Sequence, residues 1–292
     1  MIPENPFEAL ATNMLVPVVA FVVLFASAMA CIGDTARPLI AVFEAIFATT
    51  MKIVDWLMIL AVPGVAALTF TVFAYAGPQL LGEIAPYMGC VIGALFLQAF
   101  VVYPIMLAVV ARVNFMDVYR GASEALLVAF GTASSSATLP VTLACVERRI
   151  GVSNRIASFV LPTGATMNMN GTTMFEVIAV MFLAQIYGVP MTFENVITIT
   201  ALGIIAAISA AGIPSAGLVT MAVVLNGLGT QFSPIQVTTG MALIWSVDRI
   251  LDMFRTTLNV IDDCAASTMI AASEGELNRD ILTNADRWRD VV

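Results

Sequence analysis

The stretch WSVDRILDMFRTTLNVIDD, Trp245–Asp263, holds four aspartates and two arginines in a chain in which only 11% of residues are charged. Wound as an α-helix at about 100° per residue, it brings its polar side chains within an arc of roughly 80°. The members of this polar stripe are Asp248, Asp252, Arg255, Asn259 and Asp263. The sequence therefore predicts a helix with one polar face.

The rest of the chain is strongly apolar, with 60% hydrophobic residues and a mean hydropathy of +0.96. Soluble domains are about 45–50% apolar, so this composition predicts a protein of the lipid bilayer. The formal net charge is -8, which argues against nucleic-acid binding because phosphate recognition needs a basic patch. The lack of histidine removes the usual catalytic base and metal ligand.

Seven apolar segments can be measured against the bilayer core, which takes about 20 helical residues. They cover residues 13–32, 38–76, 85–113, 118–147, 155–188, 194–227 and 236–272. The second is too long for one upright crossing and contains Pro63-Gly64, which predicts a tilted or broken helix.

Two of these segments are interrupted at their middle by helix breakers and small residues. GTASSSATLP (131–140) interrupts the segment 118–147, and ISAAGIPSAG (208–217) interrupts the segment 194–227. Unpaired backbone groups are not tolerated in lipid, so each break must be buried in protein or line a wet cavity. Paired breaks in two halves of a chain, here 118–188 and 194–272, point to the binding site of a secondary transporter.

The charges of the polar stripe need a cavity or a ligand, because a charge at the bilayer centre costs at least about 2.5–3.5 kcal/mol. Arg255 offers a planar, permanently charged fork that suits a carboxylate. Asp252 can accept hydrogen bonds from a substrate ammonium group. The alternative is a closed network of ion pairs, such as Asp252 with Arg255 or Asp248 with Arg249.

Hard oxygen ligands for a cation are also present. Asp263, Asn259 and Asn168 supply carboxylate and amide oxygens, the ligand type that a sodium-like ion prefers, and carbonyls of unwound helix can complete the shell. The motif TMNMNGTT (166–173) places amides and hydroxyls in an apolar helix, with Gly171 permitting local unwinding.

Two further features have competing interpretations. The run Ser134–Ser136 lies where a half-helix begins and can hold an anion, although serine runs are also flexible linkers. Glu176 is isolated among apolar residues, and a desolvated carboxyl group of this kind is expected to be protonated, which makes it a candidate proton carrier. The alternative is a carboxylic acid hydrogen-bonded to a neighbouring helix without a functional role.

Four motifs in this order resemble the glutamate transporter family, the dicarboxylate or amino acid:cation symporters. They are GTASSSATLP, FVLPTGATMNMNGTTMFE, AAGIPSAG and LDMFRTTLNVIDD. The resemblance implies an all-α, multi-spanning membrane protein with two re-entrant helical hairpins and broken helices. It also implies a trimer in the plasma (inner) membrane and elevator-type movement of an acidic substrate with sodium, protons or both, without an organic cofactor.

The resemblance also assigns domains. Residues 1–77 correspond to scaffold helices, 78–272 to a transport domain with hairpin 1 at 118–147 and hairpin 2 at 194–227, and 273–292 to a cytoplasmic tail. The early transmembrane helices of the family are expected to be missing from this chain.

Roles for individual residues follow from the positions of the motifs. The substrate contacts implied by the resemblance are Ser134, Ser135, Ser136, Thr172, Ile213, Pro214, Gly217, Asp252, Arg255, Thr256 and Asn259. One implied sodium site uses Gly164, Asn168, Asn259 and Asp263, and a second uses carbonyls of Thr166, Ala207, Ile208 and Ala210. Glu176 matches the glutamate that is linked to proton coupling in some members.

The sequence departs from the family pattern at specific positions. The usual NMDGT reads NMNGT, so Asn170 replaces an aspartate of a third cation site, and Asp262 replaces a glycine before the last aspartate. A second arginine is usual at one of two positions, which here hold Ser134 and Met253. The third cation site is therefore doubtful.

Orientation is predicted from the arginines, which concentrate on the cytoplasmic side. Arg112, Arg120, Arg148, Arg149 and Arg155 flank hairpin 1, and Arg279, Arg287 and Arg289 lie in the tail. Hairpin 1 and the C-terminus are therefore expected at the cytoplasmic face, and hairpin 2 at the outer face.

Three functional hypotheses follow. The first is a cation-coupled carrier of glutamate, aspartate or a similar dicarboxylate. The second is a transport-incompetent remnant or an assembly partner of a full-length paralogue. The third, an intramembrane hydrolase that uses Ser134–Ser136, lacks a histidine and has Lys52 as its only lysine, so the protein is predicted not to be an enzyme.

Overall fold

The computed structural model describes residues 5–11, 15–46, 48–49, 52–53, 56, 70, 79–227 and 232–283. The predicted break at Pro63-Gly64 lies outside these residues. The described part is helical apart from its connections, with a single isolated β-bridge between Val152 and Leu277. The expected all-α fold is confirmed.

The chain divides into two compact units, residues 1–75 and 76–292. The described part of the first unit includes α1 (Pro6–Ala11), α2 (Leu15–Ile32), a 3-10 turn and a helical segment α3 at residues 37–46. The second unit begins with α4 (Gln79–Leu97) and α5 (Tyr103–Met106), each of which continues into a π-helical turn. Three described stretches are long and apolar enough to cross a membrane: Leu24–Ile46, Ile84–Ala111 and Asn154–Ile186.

Hairpin 1 is built from α6 (Phe115–Thr132) and α7 (Ser135–Cys145), which continues as a π-helical turn to Ile150. Ala133 ends α6 in the left-handed region, with a φ of 52°. Ser134 is the N-cap of α7, where its Oγ accepts a hydrogen bond from the Ala137 amide at 3.1 Å. The serine run therefore starts a helix rather than forming a flexible linker.

Hairpin 2 is built from α10 (Phe193–Ser209) and α11 (Ala216–Gly227). A reciprocal cap between Thr192 and Asn195 starts α10. The connection at residues 210–215 ends at Ser215, whose φ of +60° is unusual for a residue with a side chain.

The segment between the hairpins is a broken helix, α8 (Asn154–Met167) followed by α9 (Asn170–Ile186). The break at Asn168 and Met169 lies inside the motif TMNMNGTT, as its glycine and amides predicted.

The last long helix, α12, runs from Pro234 to Ser273. It starts with a capping box formed by Ser233 and Gln236. At 1.5 Å per residue its length is about 60 Å, and it packs against both hairpins and the broken helix. The predicted polar face is confirmed, since each member of the polar stripe is at most 4% exposed.

A short tail with α13 (Arg279–Thr283) folds back on the second unit. The Ser153 amide donates to the Glu276 carbonyl at 3.2 Å, and the Asn278 amide donates to the Gly151 carbonyl at 2.8 Å. The Arg279 guanidinium donates to the carbonyls of Ala111 and Arg112 at 2.8 and 3.0 Å. The tail therefore closes one end of the unit, where the bases of hairpin 1 and of the α4–α5 segment lie.

Candidate functional site

The tips of the two hairpins meet at Gly212. Its carbonyl oxygen accepts hydrogen bonds from the Ser134 hydroxyl at 2.7 Å and from the Ser136 amide at 3.1 Å. A Cβ at this position would collide with the Ser136 hydroxyl and lie 2.9 Å from the Ala165 carbonyl oxygen. Only glycine fits this junction without displacement of a neighbour.

A small cavity of about 10 Å³ lies between the two tips, the start of α9 and the polar stripe of α12. Its lining includes eight of the predicted substrate residues: Ser135, Thr172, Ile213, Gly217, Asp252, Arg255, Thr256 and Asn259. The other three predicted residues, Ser134, Ser136 and Pro214, are not in the lining. Ser134 and Ser136 instead hold the two tips together. This volume suffices for about one water molecule.

Arg255 lines this cavity, is only 1% exposed and is the cation with which two aspartates pair. Its Nη2 donates to Asp252, and its Nη1 lies 3.4 Å from Asp248 Oδ1. The Phe175 ring stacks on the guanidinium at 4.3 Å, and a Cβ on Gly217 would lie 2.8 Å from Nη1. Arg255 therefore lies between an aromatic ring and the backbone of hairpin 2, with an acid on each terminal nitrogen.

Two ion pairs exemplify the alternative, a closed network of ion pairs. The pair of Asp252 with Arg255 is present, whereas Asp248 pairs with Arg255 and not with Arg249. The reason is the reach of a long helical side chain, which points back toward the N-terminus of its helix. Asp252 also accepts a hydrogen bond at 2.7 Å from the Ser215 amide, which ties the tip of hairpin 2 to α12.

The predicted first sodium set lies beside the break between α8 and α9. Asn168 Nδ2 donates to Asp263 Oδ1 at 3.1 Å. Gly164 lies against the same carboxylate, whose Cγ would be 2.9 Å from an added Cβ. Asn259 contacts the next turn, where its Oδ1 accepts from the Gly171 amide at 2.9 Å and its Nδ2 donates to Thr172 at 3.2 Å. Gly164, Asn168 and Asp263 therefore meet beside the break, and Asn259 contacts the first turn of α9.

The residues of the predicted second sodium set lie at the C-terminal ends of α8 and α10. Ala207 and Ala210 are buried together with Met169, and the Ala210 amide donates to the Ala207 carbonyl at 3.1 Å. Thr166 donates its hydroxyl to the Thr163 carbonyl at 3.2 Å. Ile208 lies between the two alanines on α10. The assignment of this set remains a prediction.

The two departures from the family pattern contact each other. Asn170 Nδ2 donates to Asp262, and it lies 3.5 Å from the Tyr103 hydroxyl. Within the described ranges, neither Asp262 nor Asp263 forms an ion pair, although both are at most 5% exposed. The described part also contains no cluster of three acidic, cysteine or histidine side chains that could hold a metal.

Glu176 is fully buried on α9 and contacts hairpin 2. Its Oε1 accepts a hydrogen bond from the Thr220 hydroxyl on α11, and its Oε2 has no hydrogen-bond partner among the described residues. Its carboxyl group therefore links the broken helix to the second helix of hairpin 2.

Sequence reasoning missed Gly212, Ser215, Phe175 and Thr220 as members of this site. Phe175 carried a usable signal, because it lies three residues after Thr172 and shares its helix face. Gly212 lies within the breaker motif ISAAGIPSAG, but nothing in that motif identified it as the contact with hairpin 1.

Comparison with known proteins gives a consistent result. Residues 1–273 match the model of the Sodium:dicarboxylate symporter family. The chain is 36% identical over 270 residues to the "Putative sodium-dependent excitatory amino acid transporter glt-4" of Caenorhabditis elegans, an alignment that covers 91% of this chain and 53% of the relative.

Mammalian proteins are similar to the same extent. The human "Excitatory amino acid transporter 2" is 35% identical over 263 residues, with 89% of this chain and 45% of the relative covered. The rat "Excitatory amino acid transporter 1" is 42% identical over 205 residues, with 70% and 36% covered. The chain thus spans about half the length, or less, of the curated relatives it matches.

Proposed function

Because this chain belongs to the sodium:dicarboxylate symporter family, we propose that it carries the substrate and cation sites of a symporter for an acidic amino acid or dicarboxylate. The family is one of membrane transporters and not of enzymes. The proposal concerns glutamate-like and aspartate-like substrates, the coupling ions sodium and protons, and an elevator-type mechanism.

The observation that carries the proposal is the burial of Arg255 beside the cavity between the hairpin tips. A buried guanidinium needs acidic partners, and a bidentate carboxylate is the ligand that fits its planar fork. Asp252 occupies Nη2 in this structure. We expect the side-chain carboxylate of the substrate to replace Asp252 there, while Asp252 accepts the substrate ammonium.

The size of the cavity requires movement during binding. An amino acid cannot enter a volume of about 10 Å³, so at least one wall has to shift. Hairpin 2 is the wall that we propose as the gate, since its tip is held on Asp252 by the Ser215 amide. If a substrate ammonium replaces the Ser215 amide on Asp252, the tip of hairpin 2 loses this hydrogen bond. Substrate binding and the position of the tip are therefore coupled.

Sodium is proposed as co-transported cargo, held by the oxygens of Gly164, Asn168, Asn259 and Asp263. Support comes from the buried carboxylate of Asp263, which contacts Asn168 but has no ion-pair partner in the described part of the chain. A cation lowers the cost of that buried charge. The carbonyls of Thr166, Ala207, Ile208 and Ala210 are the proposed second set, and Glu176 is the proposed proton carrier.

The proposed setting is a homotrimer in the plasma (inner) membrane with the C-terminus in the cytoplasm. The contacts of the tail with Arg112 and of Glu276 with Arg155 support the orientation, because they gather basic residues at one end of the unit. The elevator movement and the trimer rest on the family resemblance.

The test is binding and uptake by the reconstituted chain. We expect labelled aspartate to accumulate in proteoliposomes under an inward sodium or proton gradient. Uptake that ignores both gradients contradicts symport, and saturable binding without uptake favours the alternative of a transport-incompetent chain that binds substrate or assembles with a full-length paralogue.

Substrate class is tested by Arg255→Cys, which removes the charge that selects the carboxylate. We expect aspartate binding to fall below detection in calorimetry while a neutral amino acid such as serine still binds. Arg149→Cys is the matched control, because Arg149 pairs with Glu124 at 2.5 Å on hairpin 1 and does not line the cavity. Unchanged aspartate affinity in Arg255→Cys refutes the assignment of Arg255.

A further inference from the structure

Asp248 is the one member of the polar stripe for which neither the family resemblance nor the cavity supplies a role. It is fully buried and lies outside the cavity lining. Its Oδ1 lies 3.4 Å from Arg255 Nη1, and its Oδ2 has no hydrogen-bond partner in the described part of the chain. Asp248 also faces the Ser215 side chain of hairpin 2, and Arg255 is its cationic contact among the described residues. A fully desolvated carboxylate depends on such a contact.

The contacts of Arg255 restrict its guanidinium so that the main remaining motion is rotation in its own plane, and Asp248 opposes this rotation. The ring of Phe175 and the backbone at Gly217 enclose the guanidinium and fix its plane. Among the described residues, rotation within that plane is opposed by the bonds to the terminal nitrogens. Asp252 holds Nη2 and Asp248 holds Nη1.

The two acids differ in their availability to a ligand. Asp252 lines the cavity and also accepts from Ser215 of hairpin 2, so an incoming ammonium can reach it. Asp248 lies one helical turn before Asp252 and two turns before Arg255 on α12. It is not part of the cavity lining, so a ligand in the cavity does not contact it.

We propose that Asp248 is a positioning residue for substrate specificity: it keeps Arg255 aimed at the cavity at the moment when Asp252 exchanges the guanidinium for a substrate ammonium. This inference rests on the proposed function. It assigns the discrimination between acidic and neutral amino acids to a pair, Arg255 and the buried carboxylate behind it, rather than to Arg255 alone.

The test compares aspartate and serine as probes of the purified chain carrying Asp248→Asn, an isosteric change that removes the charge. A lost charge-assisted hydrogen bond predicts roughly a 10- to 100-fold weaker affinity for aspartate. Serine affinity is expected to stay within about twofold of the wild type, since serine does not use Arg255. Glu124→Gln, which removes an acid from an arginine pair outside the cavity, should leave both affinities unchanged.

A role that acts through Arg255 makes a second prediction, which holds even if Asp248→Asn alone does not fold. In the Arg255→Cys background, adding Asp248→Asn removes a charge that has lost its partner. The double variant should therefore fold and bind serine at least as well as Arg255→Cys.

The outcomes separate the inference from the proposed function. A wild-type chain that binds neither probe refutes both. A wild type that prefers aspartate, with the same preference in Asp248→Asn or an equal loss of serine binding, overturns only the role of Asp248. A double variant that is less stable than Arg255→Cys also overturns it, because Asp248 would then act independently of Arg255.

Discussion

Hairpin 1 turns through Ala133 and Ser134, whereas hairpin 2 turns through residues 210–215. The arms of hairpin 1 are joined by their own side chains. The Thr132 and Thr138 hydroxyls lie 3.3 Å apart, and Arg149 pairs with Glu124 at 2.5 Å.

Among the described residues, no side-chain hydrogen bond joins the two arms of hairpin 2, and other elements hold its tip and its second helix. Its tip is held by Ser134 and Ser136 of hairpin 1 and by Asp252 of α12. Its second helix is held by Glu176 of α9 through Thr220. We therefore expect hairpin 1 to act as the fixed wall and hairpin 2, the proposed gate, to close only while these partners are available.

This difference can be measured with one reporter. A cysteine at Ser135, in a chain whose four cysteines are replaced by serine, is covered by hairpin 2 when the tips meet. The rate at which a hydrophilic thiol reagent modifies it reports the fraction of molecules with an open tip, provided that opening and closing are fast.

The largest effect is expected from Gly212→Val, which places a side chain where the Ser136 hydroxyl and the Ala165 carbonyl lie. An overpacking cost of about 3 kcal/mol corresponds to about a 100-fold increase in the modification rate. Gly131→Val is the matched control, because a Cβ at Gly131 meets nothing within 4 Å. Equal rates in the two variants would show that the tips do not meet at Gly212.

A smaller effect is expected from Thr220→Val, which keeps the shape of the side chain and leaves Glu176 without its hydroxyl partner. A buried group that loses its hydrogen bond costs about 2 kcal/mol, or about a 30-fold increase in the modification rate. Thr200→Val on α10 is the control, since its hydroxyl donates only to the Val196 carbonyl of its own helix among the bonds described. If the modification rate of Thr220→Val does not exceed that of Thr200→Val, the contact of Glu176 with Thr220 does not stabilise the closed tip.

The smallest effect is expected from Ser134→Ala, which deletes one of the two donors to the Gly212 carbonyl and the N-cap of α7. Because the Ser136 amide still donates to the Gly212 carbonyl, the expected cost of closing the tip is only about 1 kcal/mol. This corresponds to about a fivefold increase in the modification rate. Ser136→Ala should change the rate less, because Ser136 contributes its backbone amide. The reverse order would mean that the hydroxyl of Ser136 holds the tip.

The elements of this site could be predicted because they depend on local pattern. The helical period placed the polar stripe on one face of α12, and the breakers in GTASSSATLP and TMNMNGTT marked helix ends that the structure contains. Eight of the eleven predicted substrate residues line one cavity.

The pairings within the site could not be predicted in the same way. Asp248 is adjacent to Arg249 in sequence but contacts Arg255, two turns later, because a long side chain reaches along its helix. The junction at Gly212 joins residues 78 positions apart, and no period in either hairpin encodes it. The contact between Asn170 and Asp262 likewise required both helices to be in place.

The folded-back tail has a consequence for the order of events during protein synthesis. Arg279 binds the carbonyls at the end of the α4–α5 segment across 167 and 168 residues of chain, and Glu276 binds Ser153 across 123. A ribosome that adds about 5–20 residues per second needs roughly 10–30 seconds to cover such a distance. During that interval hairpin 1 and both halves of the broken helix exist without the residues that close their base, so that part of the unit is the last to be completed.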